Sequence, residues 1–220
     1  MLDAVAVVLP VVCSGCGAPD RSICPVCRGI LRGSVPTRRM LEAEGGAVDV
    51  WSAHPYEGIA SQVILAYKNA GRTDAASELA DSLKRALEAA LACIDLRDGR
   101  KIRVAAIPTS RRALRARGYD PNAALLRRLG VRTRSPLTLV RQTDDQTGLG
   151  RDDRWFNTAG SMGLARSVKG DRFLVIDDVF TTGATLTEAI RVLRDAGAEV
   201  VGAATIANTS FRAARATPQF

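Results

Sequence analysis

Apolar residues recur along the chain with two different periods, and the changes from one to the other mark the elements. Residues 50–58, VWSAHPYEG, read as a strand closed by a turn. Residues 59–71, IASQVILAYKNAG, switch to helical spacing, with Ile59, Val63, Ile64 and Tyr67 on one face and Gly71 as the stop. The stretch 73–94, TDAASELADSLKRALEAALACI, has the strongest helical pattern in the chain, with Thr73 or Asp74 available as its cap. IRVAAIPTS (102–110) reads as a buried strand ending at Pro108, and NAALLRRLG (122–130) as a helix ended by Gly130. The β–α order then repeats. RFLVIDD (172–178) is too continuously apolar for a half-exposed sheet and belongs in the middle of a parallel sheet covered on both faces. ATLTEAIRVLRDAG (184–197) is a helix with Ala189, Ile190 and Leu193 on one side, and AEVVGAATIA (198–207) is the next strand. Strand, loop, helix, strand in this order makes a right-handed βαβ unit, and ligands in such sheets bind at the carboxyl ends of the strands.

At 220 residues and 46% hydrophobic, the chain is large enough for one ordinary α/β domain and a small appendage. Residues 28–50 are basic and punctuated by Gly and Pro, which reads as a linker. The expected division is therefore residues 1–45 as a small module with its linker and 46–220 as the main domain. Net charge is +8, carried mostly by arginine, the better residue for bidentate phosphate recognition, so an anionic partner is in keeping with the composition. The apolar start, MLDAVAVVLPVVC, has Asp3 where a secretory signal carries Lys or Arg, and Pro10 interrupts it. No run reaches 18 apolar residues, so no membrane span is expected and the default location is cytoplasmic.

Four of the five cysteines fall within CSGCGAPDRSICPVC: Cys13, Cys16, Cys24 and Cys27. Each C-x-x-C pair can form a tight knuckle with two thiolates aimed at one ion. Two knuckles complete a tetrahedral sulfur set suited to Zn²⁺, closed on all sides and hence structural. In a chain with no secretion signal, disulfides are the weaker alternative. Cys93, among apolar neighbours at helical spacing, is expected in the core, and the lone His54 in a strand or turn.

The stretch FLVIDDVFTTGATL, residues 173–186, carries the chemistry. Asp177 and Asp178 stand at the end of a buried strand, and the following loop enters a helix. Thr181, Thr182 and Thr185 offer hydroxyl donors, Gly183 admits close backbone approach, and the helix N-terminus adds partial positive charge, which together suit a phosphate. Ionised carboxylates only accept, so the acidic pair suits a diol. Phosphate at one end and vicinal hydroxyls at the other describe a ribose 5-phosphate.

LVIDDVFTTGATL resembles the thirteen-residue signature for phosphoribosyl pyrophosphate (PRPP) of the type I phosphoribosyltransferases, and with the four-cysteine head the chain over roughly residues 10 to 207 is similar to the ComF family. AYKNAGRTD, IPTSRRALRARGYDPNAALL and LVRQTDDQTGLGRDDRWFN resemble further segments of that family, with IPTS in place of P-V-P and Tyr119 and Asp120 in place of Phe and Asn. The resemblance implies a type I phosphoribosyltransferase-like α/β fold, a parallel sheet flanked by helices behind a small zinc module. It implies that Asp177 and Asp178 hold the ribose 2′ and 3′ hydroxyls and act electrostatically on the cationic centre of transfer. It further implies that Thr181, Thr182, Gly183, Ala184 and Thr185 wrap the 5′-phosphate. By position, TSRRALRARG looks like the pyrophosphate loop, with Arg111, Arg112, Arg115 and Arg117 as candidates, and Lys68, Arg141, Arg151 and Arg154 are eligible by charge. Mg²⁺ would arrive with the pyrophosphate. Two functions follow: a PRPP-binding phosphoribosyltransferase of unread acceptor, linked to DNA uptake or nucleotide metabolism, or a non-catalytic PRPP- or nucleotide-sensing accessory of DNA uptake that handles single-stranded DNA beside a ComFA-like helicase.

Overall fold

In the computed structural model, which describes residues 11–97, 99–131, 135–141 and 158–209, a five-stranded sheet lies between two helical layers. In chain order the elements are α1 (Pro25–Gly33), β1 (Thr37–Leu41), β2 (Val48–Pro55), α2 (Gly58–Asn69) and, after a 3₁₀ turn at Thr73–Ala75, α3 (Ala76–Ala92). There follow β3 (Ile102–Ala106), α4 (Arg111–Arg117), α5 (Pro121–Arg128), β4 (Leu137–Leu139), β5 (Met162–Leu164), β6 (Arg172–Phe180), α6 (Ala184–Asp195) and β7 (Glu199–Asn208).

The sheet order is β1-β2-β7-β6-β3, with β2, β7, β6 and β3 mutually parallel. Their carboxyl ends therefore share one edge. β6 lies inside the sheet, and its alternate residues go to opposite cores. Leu174 and Ile176 pack with α2, α3 and α5, while Phe173 and Val175 pack with α6 and the β4–β5 pair. Both faces being covered is the reason the strand is apolar without interruption.

The linker expected over 28–50 is corrected. Its first residues complete α1, and Thr37–Leu41 is an antiparallel edge strand paired with β2 from Thr37↔Ser52 to Leu41↔Val48. Its sequence, TRRML, hides the strand because most of it faces water. Charged side chains suit an exposed edge, and Arg38 pairs with Asp49 at 2.8 Å. Residue 45 lies in the turn between β1 and β2, where Gly46 N–H donates to the Ala43 carbonyl.

The cysteine segment packs onto α3. The buried Glu78 accepts from Arg28 at 2.7 Å and from Arg32 at 3.2 Å, and Arg85 donates to the carbonyls of Leu31, Arg32 and Ser34. The same helix buries His54, whose Nε2 lies 2.8 Å from Ser82 Oγ. Burial and the Arg85 charge lower its pKa to about 4, so this histidine stays neutral and structural. Cys93 is not a core residue: it is exposed at the C-cap of α3, where the helical stripe has already ended.

Candidate functional site

The four cysteines converge as the spacing implies. Their sulfurs all lie within 4.8 Å of one another, with Cys16 Sγ and Cys24 Sγ 3.6 Å apart. A tetrahedron with Zn–S bonds of about 2.3 Å has sulfurs about 3.8 Å apart, so the donor set suits a zinc ion, with any pair near the 4.8 Å limit drawing in slightly. Backbone N–H groups of Gly15 and Cys24 donate to Cys13 Sγ at 3.4 and 3.3 Å, and Cys27 N–H donates to Cys24 Sγ at 3.5 Å. Burial raises the Cys13 thiol pKa, but hydrogen bonds from the Cys24, Cys16 and Gly15 N–H groups and the Cys27 thiol outweigh it and bring it down to about 6. Gly15 is needed here for close approach. A Cβ on it would lie 2.8 Å from Cys27 Sγ and 3.0 Å from Ile59 Cγ2.

The second site is a cleft of about 450 Å³ at the carboxyl edge of the sheet. β6 delivers Asp177 and Asp178 into it, directly after the buried run Phe173–Ile176. Asp178 N–H folds back to Asp177 Oδ1 at 2.9 Å, and Lys68 from the last turn of α2 meets Asp178 Oδ2 at 2.8 Å. Burial, then the Asp178 charge, push the Asp177 pKa up to about 7, against the pull of Lys68 and of hydrogen bonds from Asp178 N–H and the Asn122 side chain. Burial works against the Lys68 charge, yet the two carboxylates more than offset it and its pKa lies above the ordinary lysine value.

The loop after β6 behaves unevenly. Thr181 and Thr185 line the cleft. Thr182 and Ala184 do not; Ala184 N–H donates to Thr182 Oγ1 at 3.4 Å, a local bond at the start of α6. Gly183 sits at φ +88°, and its missing Cβ would strike Leu41 Cδ1 at 2.7 Å and Phe180 at 2.9 Å. The glycine thus turns the chain and admits the edge strand β1 behind the loop, a packing role that the expected close approach to a ligand did not include.

Of the four arginines of the 111–117 segment, only Arg117 lines the cleft. The segment is helical. Ser110 caps α4 by accepting from Ala113 N–H at 3.1 Å, and Gly118 ends it at φ +77°. Ser110, Ala113 and Arg117 share the face turned to the cleft, while Arg111, Arg112 and Arg115 fall on the solvent side. Arg141 is exposed and donates to the Ala159 carbonyl at 3.2 Å. Arg151 and Arg154 lie outside the described residues.

Several cleft residues carry no signal in the sequence. Tyr56 follows β2, Asn122 opens α5, and Ser161 precedes β5. Asn122 Oδ1 and Ser161 Oγ are buried with no hydrogen-bond partner among the described residues. Only the tertiary fold brings these segments together.

Residues 113–218 match the family model of the phosphoribosyl transferase domain. The chain is similar to an orotate phosphoribosyltransferase of Pyrococcus furiosus, 36% identical over 75 residues that make up 34% of this chain and 35% of that protein. An orotate phosphoribosyltransferase of Mycobacterium leprae is 47% identical over 49 residues, 22% of this chain and 27% of the relative. An adenine phosphoribosyltransferase of Streptomyces galbus is 49% identical over 47 residues, 21% of this chain and 26% of the relative. The chain thus spans about a third or less of the length of these curated relatives. The mixed α/β architecture, the mostly parallel sheet, the matched domain and the four-cysteine cluster agree with the expected fold class.

Proposed function

We propose that the chain binds PRPP in the cleft and transfers its phosphoribosyl group, as a ComF-type protein acting in DNA uptake or nucleotide metabolism. The observation that supports this most is the meeting of an acidic pair and two loop threonines with Lys68 and Arg117 in one cleft. Asp177 and Asp178 accept from the ribose hydroxyls, and Thr181, Thr185 and the start of α6 receive the 5′-phosphate. Arg117, with Thr109 and Ser110 beside it, faces the pyrophosphate. Among the described residues the cysteines alone form a group of three or more metal-ligating side chains, so Mg²⁺ would enter on the pyrophosphate oxygens. As pyrophosphate departs, positive charge develops at ribose C1, and the carboxylates stabilise it while the cations receive the leaving group.

A second reading, single-stranded DNA held beside a ComFA-like helicase, draws on the solvent face of Arg111, Arg112 and Arg115. The two readings divide on one assay. Incubated with PRPP, Mg²⁺ and a panel of bases, the protein should bind PRPP saturably and release pyrophosphate with at least one base. Absence of any calorimetric signal with PRPP overturns the first reading.

A further inference from the structure

Lys68 closes the acidic pair in the free protein. Its ammonium, 2.8 Å from Asp178 Oδ2, occupies an acceptor position that a ribose hydroxyl would need. The lysine backbone has little freedom. Tyr67 before it is buried, its hydroxyl donates to the Pro121 carbonyl at 3.1 Å, and the Tyr119 hydroxyl donates to the Tyr67 carbonyl. The side chain is 28% exposed and reaches into the cleft on a four-carbon stem whose bonds can rotate. Arg117 stands close enough to work against the Lys68 charge, so the two cations flank the same cleft. Two carboxylates and two cations therefore face one another, and Lys68 already has an anion.

Resting on the phosphoribosyl reading of the cleft, we propose that Lys68 is an exchangeable cation that selects for ligands carrying a pyrophosphate. A sugar with a diol and a 5′-phosphate alone must displace Lys68 from Asp178 and leaves the ammonium without a partner. A ligand that also carries a pyrophosphate supplies the replacement anion, between Lys68 and Arg117. The diol site is thus opened at low cost only by the ligand with both groups. When pyrophosphate leaves, Lys68 returns to Asp178 and weakens the hold on the remaining sugar phosphate.

The test is calorimetric titration at pH 8.5, where Asp177 is ionised, of the parent protein, Lys68→Gln and Lys68→Arg with PRPP–Mg²⁺ and with ribose 5-phosphate. Lys68→Gln should bind PRPP about tenfold more weakly, the loss of one charge-assisted hydrogen bond, and ribose 5-phosphate up to about threefold more tightly, the removal of a partly exposed competing ion pair. Lys68→Arg should keep the parent's preference for PRPP. Equal weakening of both ligands by Lys68→Gln, or an unchanged preference, overturns the proposal. A second measurement needs no variant: ribose 5-phosphate and Mg²⁺-pyrophosphate, added together to the parent, should each tighten the other's binding, and independent or antagonistic binding overturns the proposal even if Lys68→Gln fails to fold. A parent protein that binds neither sugar overturns the phosphoribosyl reading and this inference with it, which separates that failure from a failure of the exchange alone.

Discussion

The cysteine cluster and the acidic cleft are both built from short local motifs, and they treat their polar atoms in opposite ways. Around the cysteines the donors point inward to sulfur, three of the four side chains are buried, and the surrounding charges are paired, as Arg28 and Arg32 are with Glu78, with Ser14 Oγ the one buried side-chain oxygen of the segment that lacks a partner among the described residues. The cleft keeps two adjacent carboxylates, one of them with a pKa raised to about 7, and leaves Asn122 Oδ1 and Ser161 Oγ without partners among the described residues. A buried polar group left unpaired costs about 1–3 kcal/mol, which a binding site recovers when its ligand arrives. The first site has the donor set of an ion site, and the second, on the proposed function, that of a site for a molecule.

Removing the ion should produce the largest effect of all. Residues 11–33 have little core of their own beyond Cys13, Ile23, Cys24, Cys27 and Leu31, so a zinc ion held by the four cysteines would supply much of what holds them. Chelation, or Cys13→Ser with Cys24→Ser, should remove one zinc per chain in elemental analysis and lower the melting temperature by roughly 10 °C, equivalent to about 3 kcal/mol or more for a chain of this size. Because Ile59 of α2 and Glu78 of α3 touch this segment, the loss should also loosen the helix that carries Lys68. A melt that does not move on full zinc removal would contradict the comparison at its first term.

Next in size is the acidic pair. Asp177→Asn with Asp178→Asn should weaken PRPP by about a hundredfold, since two charge-assisted hydrogen bonds are exchanged for neutral ones, while the zinc content stays at one per chain. The melting temperature should fall only slightly, because losing the Lys68–Asp178 ion pair is partly offset by removing, at Asp177, a carboxylate whose ionisation burial disfavours. Acidity gives the same answer without mutation. Asp177 has a pKa near 7 in the folded chain, above its ordinary value, so the folded state holds the extra proton and stability falls as pH rises from the ordinary carboxylate range through 7. PRPP affinity should move the other way, falling as pH drops below about 7 because a protonated Asp177 is a poorer acceptor for the diol. Opposite slopes of stability and affinity over one pH window separate a ligand cradle from a strand end that happens to be acidic.

The sequence exposes what is local and hides what is assembled. C-x-x-C spacing and an acidic pair followed by T-T-G-x-T keep their chemistry within a few residues, and both clusters form where those motifs stand. The strands Arg172–Phe180 and Glu199–Asn208 are legible because burial on both faces leaves continuous apolar runs. Thr37–Leu41 is not, because an edge strand with charged residues outward looks like a linker, and neither are the three-residue strands at 137–139 and 162–164, too short to show a period. Tyr56, Asn122 and Ser161 reach the cleft from separate segments, so no spacing announces them, whereas Lys68 is legible as a candidate by charge and by the resemblance of AYKNAGRTD, but not as the partner of Asp178. Gly183 reads in sequence as making room for phosphate, whereas Leu41 and Phe180 occupy the space beside it, and Leu41 belongs to the strand the sequence conceals.

The smallest expected effect tests whether the arginine-rich charge belongs to the cleft at all. On the seven-residue helix α4, positions 113 and 117 face the cleft one turn apart, and 111, 112 and 115 face solvent. Arg111→Ala, Arg112→Ala and Arg115→Ala together should therefore change PRPP affinity by less than about twofold, the remainder of a long-range attraction that salt screens beyond about 8 Å. Arg117→Ala alone should weaken PRPP about fivefold, consistent with one partly solvated cation facing a multiply charged leaving group. Single-stranded DNA, if it binds, should respond in reverse. Its affinity should fall steeply with salt, and the triple variant should flatten that slope by about two, at roughly 0.7 for each phosphate no longer neutralised, while Arg117→Ala leaves it nearly unchanged. Should the triple variant instead abolish PRPP binding, α4 must turn or unwind when ligand arrives, and its solvent face would belong to the free protein only.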